Sequence, residues 1–186
     1  MDSKKVKTFI ELAGQKTAEK LILGTPEQRK LGAQLLLSET LEYLIKGLGV
    51  IPNIHGNPVH DPEAISYDAV NDPSRSEMVD GLSDVAYTMY WNALTFGAPL
   101  EDAFNLVCDN NLEKFVKLDA KNFKQGTLPE DRWHCDRGIN WPAEVKSVEV
   151  VAVNGDLYAV GKDVRGKVRK PSSYRPVNLE PLIEMS

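Results

Sequence analysis

The sequence predicts an all-α fold: a helical bundle carrying a small C-terminal β-hairpin and an extended tail. Three observations predict it. Apolar residues recur at helical spacing through most of the first 125 positions. Asn154-Gly155, set between two β-rich runs in KSVEVVAVNGDLYAVGKD, is a strong hairpin signal. The closing stretch VRGKVRKPSSYRPVNLEPL is basic, then Pro-rich. Residues 1–125 are therefore expected to form a helical core with a long loop at 50–76. Residues 126–186 are expected to form the hairpin and tail, packed on the same domain.

Each element has its own signal. Val6, Phe9, Ile10 and Ala13 lie at helical spacing. Thr25-Pro26-Glu27-Gln28 starts a second helix, with Thr as N-cap, Pro at the first helical position and an acid in the first turn. That helix should run to about Leu48, with Leu37, Leu41, Leu44, Ile45 and Leu48 as its apolar stripe. Val50 to Ser76 is rich in Pro, Asn, Asp and Gly and has no sustained period, which predicts a long loop. A third helix should span about Ser74 to Thr95, with Val79, Leu82, Val85, Ala86 and Met89 as its core stripe. Phe96-Gly97-Ala98-Pro99 closes it. Leu100 to Lys121 should be a fourth helix, marked by Phe104, Val107, Cys108, Leu112, Phe115 and Leu118.

Composition excludes several classes. The 186 residues suffice for one domain with a real core, and a net charge of −5 argues against a general nucleic-acid binder. The two cysteines, Cys108 and Cys135, have no zinc-ligand spacing and give no disulfide framework. No apolar run approaches a membrane span, and the charged N-terminus is unlike a signal peptide, so a cytoplasmic protein is expected.

The chemistry concentrates in acidic pairs. At 100° per residue, Glu39 and Glu42 lie about 60° apart on one helix, and Asp80 and Asp84 about 40° apart on another. Glu77 is close to the second line. Such acids can be a solvated edge. Brought together from two helices, they need a cation or a raised pKa, and a Mg²⁺ site is the other reading.

These motifs resemble the all-α nucleotide pyrophosphohydrolases, the MazG-like and phosphoribosyl-ATP-pyrophosphohydrolase-like superfamily, and within it the phage-type branch. The resemblance rests on Glu39-Thr-Leu-Glu42, Asp80-Gly-Leu-Ser-Asp84 and Asn111-Leu-Glu-Lys114, in that order. VKTFIELAGQ, FGAPLEDAFNLVCDNNLEKF and GKVRKPSSYRP are similar to the family's first helix, last core helix and tail. Ser38 stands where the family often has a further Glu, which leaves the general base open, and Glu77-Asp80 offers an alternative acidic spacing.

The resemblance implies a bundle of the MazG-like type and hydrolysis of a nucleoside triphosphate to monophosphate and pyrophosphate. It implies Mg²⁺, with Mn²⁺ able to substitute, held by Glu39, Glu42, Asp80 and Asp84, one of which could act as base. Asn111 and Lys114 would meet phosphate or ribose. Lys167, Lys170 and Tyr174 of the tail would close over the triphosphate, or else serve only solubility. Tyr87 and Trp91 either stack a base or pack in a core or subunit contact. A homodimer or homotetramer is implied, and a purine deoxynucleotide such as dGTP or dATP is the favoured substrate. The alternatives are phosphoribosyl-ATP hydrolysis and a non-catalytic helical interaction protein.

Overall fold

The computed structural model describes residues 3–70 and 72–184, apart from the side chain of residue 63. The elements run α1 (Ser3–Leu12), α2 (Pro26–Glu42) continued by a π-helical turn (Tyr43–Gly47), β1 (Asn53–Ile54) and β2 (Asn57–Pro58). A short 3-10 turn (Pro62–Ala64) precedes α3 (Arg75–Phe96) and α4 (Leu100–Leu112). Then follow β3 (Val116–Leu118), β4 (Gly126–Leu128), a second 3-10 turn (Glu130–Arg132), β5 (Ser147–Val153), β6 (Asp156–Lys162) and α5 (Glu180–Glu184). The chain divides into two compact units, one of Met1–Glu19 with Val85–Ser186 and the other of Lys20–Asp84.

The expected all-α bundle is wrong. The molecule mixes helices with two antiparallel sheets, one of four strands and one of two. The hairpin at Asn154-Gly155 is the middle of the larger sheet, whose strand order is β3-β6-β5-β4. Both turn residues have positive φ, 53° and 85°, the backbone of a two-residue hairpin loop. The outer strands are three residues each, too short for alternation to stand out. Phe115 and Leu118 also fit a helical step, so the predicted helix to Lys121 absorbed β3. The chain leaves α4 at Leu112, and Val116 and Leu118 turn inward with Lys117 exposed between them. Pairing with β6 supplies the ladder that three residues cannot hold alone.

The long central hairpin organises the core by alternation. Val148 and Val150 of β5 and Ala159 of β6 face one apolar cluster, which includes Phe123, Leu128, Cys135 and Ile139. Val151, Val153, Tyr158 and Val160 face a second cluster, around Leu12 of α1 and Phe115. There Phe9 meets Phe115 edge-on at 5.1 Å between ring centroids. The sheet thus has apolar cover on both faces.

The helices nearer the acids contribute little to this core. α3 has no buried residue, and Leu41 is the buried residue of α2. The stripe predicted as core on α3 is exposed at Val79, Leu82, Val85 and Met89, and on α2 at Leu37. Helical spacing identifies an apolar face; it does not say what covers it. Among the described residues, no helix is long and apolar enough to cross a membrane.

Gly161 of β6 is where the packing is least forgiving. A Cβ there would stand 2.4 Å from Trp141 Cε3 and 2.7 Å from Cζ3. The indole is held in place by its Nε1–H, which donates to the Trp133 carbonyl at 2.9 Å. Gly161→Ala is therefore expected to destabilise the protein by about 1–3 kcal/mol through overpacking. Denaturant unfolding measures it; an unchanged midpoint would mean the ring moves freely.

Candidate functional site

The two acidic pairs sit on well-formed helices. Thr25 and Gln28 build a capping box at the start of α2: Gln28 N–H donates to Thr25 Oγ1 (3.2 Å) and Thr25 N–H to Gln28 Oε1 (2.8 Å). The helix carries Glu39 and Glu42 and changes to π geometry directly after Glu42, over Tyr43–Gly47. α3 carries Glu77, Asp80 and Asp84, and near its start Glu77 N–H donates to Ser74 Oγ (3.4 Å). Glu39, Glu42, Glu77, Asp80 and Asp84 are all exposed, and Glu42 is paired with Lys46 at 3.1 Å, one turn on. All five belong to the unit Lys20–Asp84. Among the described residues, no three His, Cys, Asp or Glu side chains gather into a group that could hold a metal ion. The donor chemistry, carboxylate oxygen throughout, nevertheless suits a hard divalent cation.

The expected phosphate-side residues lie in the other unit. Lys114 follows the end of α4, and its Nζ donates to Asn111 Oδ1 at 2.7 Å while standing 5.5 Å from the centre of the Phe9 ring. Lys170 is exposed and lies over the Tyr174 ring, 4.7 Å from its centroid. The Tyr174 hydroxyl is engaged: it donates to Asn110 Oδ1 at 2.5 Å. Tyr87 and Trp91 are exposed on α3, at 70% and 54%. They are not core residues of this chain.

Sequence reasoning missed Asn110 and Asp163. Asn110 is buried near the end of α4, and the available signal was an asparagine, a weak helix former, just inside a helix. Asp163 is buried at the start of the tail. It accepts from the N–H groups of Arg165 (2.8 Å) and Lys167 (3.0 Å), and from Arg169 Nε (3.0 Å) and Nη2 (2.6 Å). Burial alone would push its carboxyl up. The Lys167 and Arg165 N–H groups and the Arg169 guanidinium more than offset this and hold it below the usual carboxylate range.

A depressed folded pKa contributes stability that is present above the unfolded value of about 3.9 and is lost as pH falls through the folded value. The tail around Asp163 should therefore lose part of its stability only below about pH 4. Asp163→Asn should lower the melting temperature at pH 7 and flatten the acid limb. Parallel melts of both proteins between neutral and acid pH check this; superimposable curves would refute it.

Compared with protein-family models, with curated proteins and with solved structures, the chain matches none.

Proposed function

We propose that the chain is a metal-dependent nucleotide pyrophosphohydrolase of the cytoplasm, converting a purine deoxynucleoside triphosphate to monophosphate and pyrophosphate. The observation that carries the reading is the acidic pattern in its helical setting. Glu39 and Glu42 on α2, and Asp80 and Asp84 on α3, are exposed carboxylates on two regular helices, in the order that the resemblance to the MazG-like enzymes has them. Glu39, Glu42, Asp80 and Asp84 are the residues that would hold Mg²⁺ or Mn²⁺. Such an ion would neutralise phosphate charge and make a bound water nucleophilic. One of these carboxylates, if not engaged by metal, could act as the base toward the attacking water. Lys114 and Asn111, which lie in the other unit, are the residues to which the resemblance assigns phosphate contact: a lysine would supply a point charge and an amide a donor.

The same helices leave large apolar side chains uncovered, among them Leu35 (56%), Leu82 (65%) and Leu94 (82%). Large exposed apolar side chains on these helices support a homo-oligomer, a dimer or tetramer, in which a second copy covers them. The exposed faces also favour a second reading, a helical interaction protein without activity.

Release of pyrophosphate from a panel of NTPs and dNTPs in Mg²⁺ separates the two readings. Hydrolysis in ¹⁸O-labelled water should place the label in the monophosphate, because water attacks the α-phosphorus. Orthophosphate as the sole inorganic product, with diphosphate accumulating, would sink the proposal.

A further inference from the structure

The glycine that ends the helix after Glu42 is there for a reason of space. Gly47 closes the π-helical turn Tyr43–Gly47, and its φ is not left-handed, so the backbone conformation does not demand a glycine. Within a helical segment glycine is less favourable than alanine. What Gly47 supplies is room. A Cβ at position 47 would stand 3.0 Å from Tyr43 Cδ2 and 3.3 Å from Cε2, so the ring lies across the place where a side chain would begin. The backbone holds this arrangement: the Leu48 N–H donates to the Tyr43 carbonyl at 3.0 Å, five residues back, and the Val50 N–H to the Leu44 carbonyl at 2.9 Å. π-helical turns are frequent at functional sites.

The place of Tyr43 relative to the acids of α2 follows from one continuous helix and needs no long-range packing. Tyr43 succeeds Glu42 directly and stands four residues after Glu39, about 40° around the axis and about 6 Å along it. Its N–H donates to the carbonyls of Glu39 and Thr40, so the helix is unbroken up to the ring. Glu39 and Tyr43 therefore share a side, and the step between them suits the ribose that separates phosphate from base. Tyr43 is 42% exposed even with its ring against Gly47. It lies with the acids in the unit Lys20–Asp84, whereas Tyr87 and Trp91 belong to the other unit. An exposed aromatic ring held at a fixed angle makes a stacking platform, because every nucleobase has a π-face to lay on it and little freedom is lost when the ring is already in place.

We propose that Tyr43 is the residue on which the nucleobase stacks, held at its angle by the glycine at 47. The assignment rests on the pyrophosphohydrolase reading, which sets the phosphates beside Glu39 and Glu42. Stacking favours a base-bearing ligand over a bare polyphosphate and does not itself choose among the bases.

Calorimetric titration of the full chain in Mg²⁺, once with the α,β-methylene analogue of dGTP and once with inorganic tripolyphosphate, tests this without relying on turnover. Tyr43→Ala should weaken analogue binding about tenfold, the lower end of what one base–aromatic stack contributes, and leave tripolyphosphate within about twofold. Tyr43→Phe keeps the ring and should bind both ligands as the wild type does. Gly47→Ala places a methyl where the ring lies and should also weaken the analogue alone. Alanine is the better helix former, so that loss would not come from helix propensity.

Wild-type affinity for the analogue in Tyr43→Ala or in Gly47→Ala overturns the proposal. So does an equal loss of analogue and tripolyphosphate, the mark of a disturbed helix. A loss in Tyr43→Phe as large as in Tyr43→Ala assigns the effect to the hydroxyl and overturns it too. If the binding pattern holds while no nucleotide releases pyrophosphate, the stacking residue stands and the pyrophosphohydrolase reading falls. If pyrophosphate is released and Tyr43→Ala binds the analogue unchanged, the reading stands and the stacking residue falls.

Discussion

Pyrophosphate release should disappear when divalent metal is stripped from the protein and return when Mg²⁺ or Mn²⁺ is added. The reason lies in the donor set. Glu39, Glu42, Asp80 and Asp84 offer only carboxylate oxygen, which suits hard cations and gives little preference for thiophilic ones. Neither cysteine offers an alternative centre. Both are buried, and burial pushes the Cys135 thiol up to about 11, helped by the charge of Asp136, so the thiolate that a soft metal needs is scarce at neutral pH. The measurement is a pyrophosphate assay after exhaustive chelation, with add-back of Mg²⁺, Mn²⁺, Ca²⁺ and Zn²⁺. Full activity in the stripped protein would remove the metal from the mechanism. A parallel melting curve with and without metal gives a second readout, since a ligand that binds only the folded chain raises its stability.

The sequence was most legible where a local signal was strong enough to act alone. Thr25-Pro26-Glu27-Gln28 starts α2 because the cap satisfies helix donors within four residues, and no distant partner is needed. Asn154-Gly155 turns β5 into β6 because both positions accept positive φ. The sheet as a whole was not legible. β3 and β4 are strands through their neighbours, β6 and β5, and a three-residue segment carries too little pattern to announce a partner some twenty to forty positions away. Expecting only a small C-terminal hairpin packed on a helical bundle followed from missing those two strands.

The candidate site was legible to a different degree. Spacing placed the acids of each pair on one side of a helix, a purely local statement. It could not say whether two helices bring their pairs together, which depends on long-range packing. Nor could it say that the apolar stripe of α3 lies uncovered in a single chain, because amphipathicity reports a face and not its occupant. Asn110 and Asp163 escaped for a related reason. A buried polar residue is recognised by the partners it satisfies, and for Asn110 these are Tyr174 and Arg175, more than sixty positions along the chain.

Glu42→Gln and Asp84→Asn should each lower turnover by at least about 100-fold, or about 2.7 kcal/mol of lost transition-state stabilisation. Both substitutions are nearly isosteric and both side chains are exposed, so little of that effect can come from folding. The contact Glu42 gives up is its ion pair with Lys46, an exposed pair one helical turn apart, worth about 0.3–0.5 kcal/mol. Surface changes of this kind stay within about 0.5 kcal/mol, several times smaller than the predicted kinetic loss. The two magnitudes therefore separate a metal-binding or proton-accepting carboxylate from a solvated helix edge. Steady-state rates at saturating substrate, with melting temperatures and oligomeric state measured on the same preparations, make the comparison. A carboxylate that binds metal should also show a raised metal requirement in its variant, whereas a pure base should lose rate at every metal concentration. Wild-type rates in both variants would return Glu39, Glu42, Asp80 and Asp84 to an ordinary hydrated surface, and leave the uncovered faces of α2 and α3 as the feature to explain.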